Sequence, residues 1–117
     1  MTAEATPFRS AIAARAFLAA THEFDIEAVL RCFRPDAVID DPSTGESFEG
    51  IEGVQDYVMR FFVGYRTRSR VISVDRLEGD RARLRVDFTG DFGHEIGRLD
   101  VVTDKHGRIL RIDADLE

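Results

Sequence analysis

The chain has 117 residues, a mass of 13.2 kDa and a formal net charge of −6 at pH 7, so it is expected to form one domain spanning 1–117. Apolar residues make up 44% and charged residues 32%, a composition typical of globular proteins and not of disordered or fibrous ones. Acidic residues outnumber basic ones by 22 to 16, which argues against a protein that binds nucleic acids through their phosphates.

Nothing in the sequence indicates export or membrane insertion. The single cysteine, Cys32, cannot form an internal disulfide. The first residues lack the basic start and apolar run of a secretory signal. The longest fully apolar stretch, 16–20, has five residues, whereas a membrane span needs about 20. The sequence therefore predicts a cytoplasmic protein that binds no membrane.

A first helix is predicted to begin at Thr6-Pro7, because threonine caps helices and proline suits the first helical position. Apolar residues at three-to-four spacing predict its buried face, which comprises Phe8, Ile12, Ala16 and Ala19 or Ala20.

Two more helices are predicted. One begins at Asp25 and ends before Pro35, because proline pushes the preceding residue out of the helical region. The other covers 51–63, with Gly64 as its stop. The apolar residues with helical spacing in these segments are Ile26, Val29, Leu30, Phe33, Val54, Tyr57, Val58, Phe61 and Phe62.

The remaining segments are predicted strands. A short hairpin covers 37–50, and longer strands cover 66–77 and 81–89 around a turn at 78–80. A further strand ends near Thr103, and the last has Leu110, Ile112, Ala114 and Leu116 on its buried face. This order predicts an α+β fold: a cone-shaped, curved antiparallel or mixed sheet, with three helices packed into its concave face and a small-molecule pocket at the open end.

Two adjacent aspartates in the first strand are the main candidates for chemistry. Neighbouring residues of a strand face opposite sides, so either Asp40 or Asp41 must point at the apolar interior. A carboxylate among apolar walls can serve as a general base. The alternative is a strand end at which both side chains are solvated and only begin the turn with Pro42.

Other polar residues offer weaker candidates. His22, His94 and His106 have no metal-ligand spacing, and we expect no metal or organic cofactor. Arginines alternate over 66–70 and 81–85, either as a cationic stripe for an anion or as a solvated or dimer-forming face paired with acidic residues.

Arg85 and Asp87 could position a water for epoxide hydrolysis if they faced the pocket. The alternation of Leu84, Val86 and Phe88 favours the opposite register, with the charged pair outside.

The segment 25–42, the following turn ending in Gly50, and helix three together resemble the bacterial ketosteroid isomerases. The likeness resumes at 84–87 and 105–109, and these enzymes belong to the larger nuclear-transport-factor-2-like (SnoaL-like) superfamily. The resemblance implies that Asp41 is the base that moves a proton between carbons beside a carbonyl. It also implies an oxyanion hole formed by a tyrosine and a protonated aspartic acid.

The residues of that oxyanion hole are absent from the corresponding positions of this sequence. The family's oxyanion tyrosine corresponds to Phe17, and two supporting tyrosines correspond to Phe33 and Val58. The protonated acid corresponds to Leu99, or to Asp100 if the following hairpin is one residue shorter. Tyr57 or Asp100 could supply a replacement donor. The epoxide hydrolases of the superfamily have a further carboxylate on the last strand. Its position corresponds to Ala114 in this sequence, which argues against epoxide hydrolysis.

These expectations combine into one hypothesis: a homodimer, formed through the outer sheet face, whose pocket takes a small apolar carbonyl compound such as a steroid or polyketide. Catalysis of an isomerase or lyase type would use Asp41, Tyr57 and Asp100. The predicted lining comprises Phe17, Phe33, Phe61, Val86, Phe88, Leu99, Val101, Ile112 and Ala114. The alternatives are a non-catalytic module that binds an apolar ligand in the same pocket and a dimerising scaffold with a filled core.

Overall fold

The computed structural model describes residues 8–117. Three helices pack on one curved, mixed, six-stranded sheet, which confirms the predicted α+β class. The helices are α1 (Arg9–His22), α2 (Ile26–Arg31) and α3 (Gly50–Val58), and the strands are β1 (Phe33–Asp41), β2 (Glu46–Glu49), β3 (Arg68–Arg76), β4 (Ala82–Gly90), β5 (Gly93–Thr103) and β6 (Ile109–Leu116). Within this part of the chain, no helix is long and apolar enough to span a bilayer.

The sheet order is β2-β1-β6-β5-β4-β3. Every neighbouring pair is antiparallel except β1 and β6, which run parallel with Ile39 opposite Ile112. This parallel pairing places the hairpin of β1 and β2 beside the C-terminal strand. The end of β1, where the two aspartates lie, is thereby fixed within the sheet.

The buried face of α1 differs from the predicted one. Ile12 is 55% exposed, and Ala16 and Ala19 are exposed as well. Of the predicted face only Phe8 and Ala20 are buried. The other buried residues of the helix are Ser10, Ala11, Ala13, Ala14, Phe17, Leu18 and Thr21. The alanine-rich helix has apolar residues on most of its surface, so spacing alone does not select the side that meets the sheet. The predicted start at Thr6-Pro7 lies outside the described residues.

Pro35 does not end α2, contrary to prediction. The helix stops at Arg31, and Pro35 lies inside β1. The pairing of β1 with β6 is irregular between Phe33 and Val38. A proline is tolerated at such an interruption because no ladder hydrogen bond needs its missing N–H.

Helix α3 continues into a π-helical segment at Met59–Val63, so the predicted helix over 51–63 is confirmed with a change of winding. The amide of Gly64 donates to the carbonyl of Met59 at 2.8 Å, a bond that spans five residues. The wider turn brings Phe61 and Phe62 to the same cavity wall, although they are adjacent in sequence. Segments of this kind often occur at functional sites.

Strand alternation predicted the inner face of the sheet well. Leu84 and Val86 are fully buried, and Phe88 is half-buried on the same face of β4. On β6 the prediction was partly wrong. Ile112 and Ala114 are buried, but Leu116 is 44% exposed, and Ile109 rather than Leu110 is buried at the beginning of the strand. A register shift in the pairing of β5 and β6 near Thr103 accounts for the change of face at that end.

Candidate active site

The two adjacent aspartates separate as strand geometry requires. Ile39 is fully buried, and Asp41, two residues along the same face of β1, is only 8% exposed. Asp40 lies on the other face, where its Oδ2 is 3.3 Å from Nη2 of Arg111. One carboxylate therefore points into the protein and the other forms a surface ion pair. The alternative in which both aspartates are solvated is wrong.

Three donors hold the Asp41 carboxylate. The Tyr57 hydroxyl donates to Oδ2 at 2.7 Å, while the amide and hydroxyl of Ser43 donate to Oδ1 at 3.1 and 2.6 Å. A carboxylate has about four acceptor positions. The described contacts fill two on Oδ1 and one on Oδ2, so one position on Oδ2 is left for a proton or donor from a bound molecule.

Tyr57 reaches Asp41 from α3 and is itself buried, with 7% of its surface exposed. Its ring packs against Phe48 and Phe61 with centroids 5.0 and 5.3 Å apart. Burial, followed by the negative charge of Asp41, raises the pKa of the Tyr57 hydroxyl well above its ordinary value. Tyr57 is therefore a protonated donor at neutral pH and stays protonated in the fold to a higher pH than an exposed tyrosine.

This shift predicts a loss of stability in alkali. Above pH ~10 tyrosine ionises in the unfolded chain, whereas Tyr57 stays neutral in the fold because its pKa is raised. The folded state then binds more protons than the unfolded state, so the free energy of unfolding falls as the pH rises past this value. Below it Tyr57 is protonated in both states, so its ionisation adds no pH dependence to the free energy of unfolding.

Absorbance spectroscopy checks this expectation directly. Tyr65→Phe removes the only other tyrosine, so any tyrosinate absorbance in that variant comes from Tyr57. We expect the signal to rise only as circular dichroism shows unfolding. A tyrosinate signal that rises near pH ~10 in the folded protein would contradict the shielded environment of Tyr57.

Asp41 and Tyr57 lie in the wall of a cavity of about 300 Å³. This volume is near the lower limit for pockets that enclose organic ligands. The lining is mostly aromatic, with a few polar side chains, and comprises Asp41, Ser43, Thr44, Tyr57, Phe61, Phe62, Tyr65, Thr67, Phe88, Phe92, Glu95 and Leu116. The hydroxyls of Thr44 and Thr67 donate to backbone carbonyls at 2.8 and 2.7 Å. Asp41 and Tyr57 therefore form the buried pair of polar side chains in the wall that are hydrogen-bonded to each other.

The predicted pocket lining is only partly found in the wall of this cavity. Tyr57, Phe61 and Phe88 line it. The other predicted lining residues belong to the packed core instead: Phe17, Phe33, Val86, Leu99, Val101, Ile112 and Ala114. Their side chains fill the interior of the cone; Phe17, for example, packs edge-on against Phe33 with centroids 5.4 Å apart. The cavity is therefore confined to the open end.

Asp100 does not join the site. It pairs with Arg83 through two hydrogen bonds of 2.8 Å on the face of β5 opposite the buried Leu99 and Val101. The hydrogen bonds and positive charge of Arg83 lower the pKa of the Asp100 carboxyl, so it is an ionised partner and not a protonated donor. The register that would have turned Asp100 inward is wrong.

The pair considered for epoxide hydrolysis is also outside the cavity. Arg85 donates to Glu117 at 2.6 and 2.7 Å, and Asp87 lies 2.9 Å from Arg70 and 2.6 Å from Nε2 of His94. Four of the six alternating arginines have acidic partners, which agrees with a solvated face of paired charges: Arg66, Arg70, Arg83 and Arg85.

The rim of the cavity carries two aromatic residues that no sequence pattern predicted. Tyr65 and Phe92 lie there with ring centroids 5.9 Å apart, exposed by 44% and 39%. Tyr65 follows the π-helical segment, and Phe92 lies in the turn between β4 and β5. Neither position belongs to a periodic pattern, so composition is the only signal: two large aromatic residues in turns that usually carry small polar ones.

Comparisons with solved structures show the same fold at low identity. A proposed polyketide cyclase from Sinorhizobium meliloti is 20% identical, with a TM-score of 0.79 over 88% of this chain and 93% of that one. A Mycobacterium tuberculosis protein in complex with estradiol-17β-hemisuccinate is 16% identical, with a TM-score of 0.80 over 92% and 93%. A proposed ketosteroid isomerase from Kribbella flavida is 15% identical, with a TM-score of 0.80 over 93% and 78%.

Sequence comparison adds the family. A search of the curated proteins finds no match. The family model of the SnoaL-like domain matches residues 14–114 and so covers Asp41, Tyr57 and every described lining residue of the cavity except Leu116. The chain belongs to the SnoaL-like domain family.

Proposed function

We propose that this protein is an acid/base enzyme of the isomerase or lyase type, with Asp41 as the general base and a small apolar carbonyl compound as substrate. The observation that carries the proposal is a buried carboxylate in the wall of an aromatic cavity, with an acceptor position on Oδ2 that no described donor fills. Such a group can remove a proton from a carbon beside a carbonyl and return it to another carbon.

In this proposal the electrons of the broken C–H bond delocalise onto the carbonyl oxygen, and Oδ2 of Asp41 holds the proton. Tyr57 then no longer faces a full negative charge on Asp41, and its hydroxyl can donate to the substrate oxygen instead. Return of the proton to the second carbon restores the carboxylate and its bond to Tyr57. The step balances without an oxidant, a metal or an organic cofactor.

The likeness to bacterial ketosteroid isomerases and the fold neighbours named for steroid and polyketide chemistry support this substrate class. The fold hosts several reactions, so this support concerns the pocket more than the reaction. The homodimer formed through the outer sheet face remains a prediction, as does the cytoplasmic location.

A non-catalytic ligand-binding module is the second candidate, and two observations favour it. Asp41 already accepts three hydrogen bonds. In addition, Phe17 and Leu99 are buried in the core at positions where the resemblance expects polar oxyanion donors. In that case Asp41 would only anchor a polar group of the ligand.

A binding titration followed by an assay on the same sample tests the proposal. The midpoint of thermal unfolding is measured at increasing concentrations of a planar steroid phenol. Double-bond isomerisation is then assayed with a β,γ-unsaturated ketosteroid. Exchange of the α-hydrogens of β-tetralone with deuterated water, followed by NMR, detects the base independently of double-bond migration. Stabilisation with exchange or isomerisation supports the enzyme. Stabilisation without exchange or isomerisation supports the binding module. If neither the steroid phenol nor β-tetralone stabilises the protein, both candidate functions are contradicted.

A further inference from the structure

The charged side chains that line the cavity are both acidic, whereas Arg60 lies outside the lining with its guanidinium carbon 5.0 Å from the centre of the Phe61 ring. Two carboxylates, Asp41 and Glu95, are among the lining residues, and no lysine, arginine or histidine lines the cavity in the described part of the chain. A carboxylate or phosphate on a ligand would therefore meet repulsion without a compensating cation. The cavity selects against anionic ligands.

Glu95 faces the cavity because of its place in β5. It precedes the buried Gly97 and Leu99 by two and four residues, so the three share the inner face of the strand. Its cross-strand partner on β4 is Phe88, which also lines the cavity. Glu95 is thus a charged residue on the otherwise apolar side of the sheet, and it is exposed at the open end.

The other acidic residues of β4, β5 and β6 are paired with arginines. Asp87, Asp100, Asp113 and Asp115 lie between 2.8 and 3.9 Å from an arginine nitrogen. No ion pair or side-chain hydrogen bond of Glu95 is found among residues 8–117. On β4, β5 and β6 the outward carboxylates are therefore paired, and Glu95 on the rim is left available.

Two aromatic rings stand on the same rim. Tyr65 and Phe92 meet at 85° with centroids 5.9 Å apart, and Phe61 continues the row with its ring centroid 6.3 Å from that of Tyr65. The face of an aromatic ring attracts a cation, and organic ammonium groups bind where several faces and a carboxylate converge. The rim has both elements.

We propose that the ligand of this pocket carries an organic ammonium group, held at the rim by Tyr65, Phe92 and the Glu95 carboxylate, while its apolar carbonyl part extends toward Asp41. The inference rests on the ligand pocket of the proposed function and specifies its substrate class: cationic or basic amino-ketones in preference to acidic ones. Glu95 is in this proposal a specificity-determining residue and takes no part in the proton transfer.

Three probes that differ in the charge of one substituent test this preference, and the cationic and neutral ones are isosteric. β-Tetralone is substituted on its aromatic ring with trimethylammonium, tert-butyl or carboxylate, and the dissociation constants are measured by calorimetry at low and high salt. We expect the ammonium compound to bind ~10-fold more tightly than its neutral tert-butyl isostere and the carboxylate compound to bind at least ~10-fold more weakly. The preference should decrease at high salt because rim charges are screened.

Variants locate the effect. Glu95→Gln should abolish the preference for ammonium and leave tert-butyl binding unchanged, whereas Glu52→Gln, an exposed change of equal charge on α3, should alter neither. Equal binding of the ammonium and tert-butyl probes, an unchanged preference in Glu95→Gln, or no binding of any probe overturns the proposal. The readout needs no turnover, so charge selectivity without catalysis would contradict the proposed reaction and leave this inference standing.

Discussion

Replacement of Asp41 by asparagine is expected to lower the turnover of a carbonyl substrate by a factor of about 10² to 10⁴, the usual contribution of a positioned general base. Asparagine has the shape of aspartate but no basic oxygen at neutral pH. The measurement is the initial rate of α-hydrogen exchange or of ketosteroid isomerisation, with substrate concentrations varied so that kcat and KM are separated.

The fold should tolerate this change. The asparagine carbonyl can accept the two Ser43 donors that now reach Oδ1, and its amide can donate to the oxygen of Tyr57 at the position of Oδ2. We therefore expect KM and the dissociation constant of a ligand to change little while kcat falls. If the rate and the affinity fell together, Asp41 would be a ligand anchor and the binding module would be favoured.

The neighbouring carboxylate provides a matched control. Asp40→Asn makes the same chemical change one residue earlier, but Asp40 faces away from the cavity and pairs with Arg111 at the surface. Loss of such an exposed ion pair costs about 0–1 kcal/mol of stability. Turnover should be unaffected, and an equal loss in both variants would show that charge on β1, and not the inward base, governs the rate.

The contrast between these two residues shows what sequence periodicity can determine. The period of two along a strand is a geometric property of the backbone. It predicted that Asp40 and Asp41 lie on opposite faces of β1, and that Leu84, Val86 and Phe88 share the inner face of β4. The likeness to a known family then indicated which aspartate points inward. Geometry and resemblance were independent, and together they identified the residue that the structure places in the cavity wall.

The extent of the cavity could not be predicted in this way. A periodic pattern shows which residues face inward, but whether they enclose empty space depends on side-chain volumes summed over all elements. Here the rings of Phe17, Phe33 and Phe62 fill the deep part of the cone. The cavity therefore lies at the open end of the cone. Its shape there is determined by the π-helical winding after α3 and by the turn that carries Phe92. Neither feature can be recognised from a periodic pattern in the sequence.

Phe17 was predicted to line the pocket but lies in the core, and Phe17→Ala is expected to lower the free energy of unfolding by about 3–5 kcal/mol. The ring is 1% exposed and makes edge-on contacts with Phe33 and Phe62 at 5.4 and 5.8 Å, so its removal leaves a void between close-packed rings. Denaturant unfolding of the variant and the parent measures the difference.

Ile12→Ala on the same helix is the matched control. Ile12 is 55% exposed, and alanine is the better helix former, so the free energy of unfolding should change by less than about 0.5 kcal/mol. A large loss in Ile12→Ala together with a small one in Phe17→Ala would restore the originally predicted face of α1. It would also contradict the packing described for this helix.

Phe17→Tyr then separates a core position from a catalytic one. The resemblance assigns this position to an oxyanion tyrosine, so a site open to the ligand would gain a donor and a faster reaction. In the structure Phe62 stands between Phe17 and the cavity, and a hydroxyl added there would be buried among aromatic rings. We therefore expect a loss of about 1–3 kcal/mol in stability and no gain in kcat. A stable and faster variant would instead show that the cavity extends past Phe62 in solution, and that a hydroxyl at position 17 can act as an oxyanion donor even though Leu99 occupies the position of the second one.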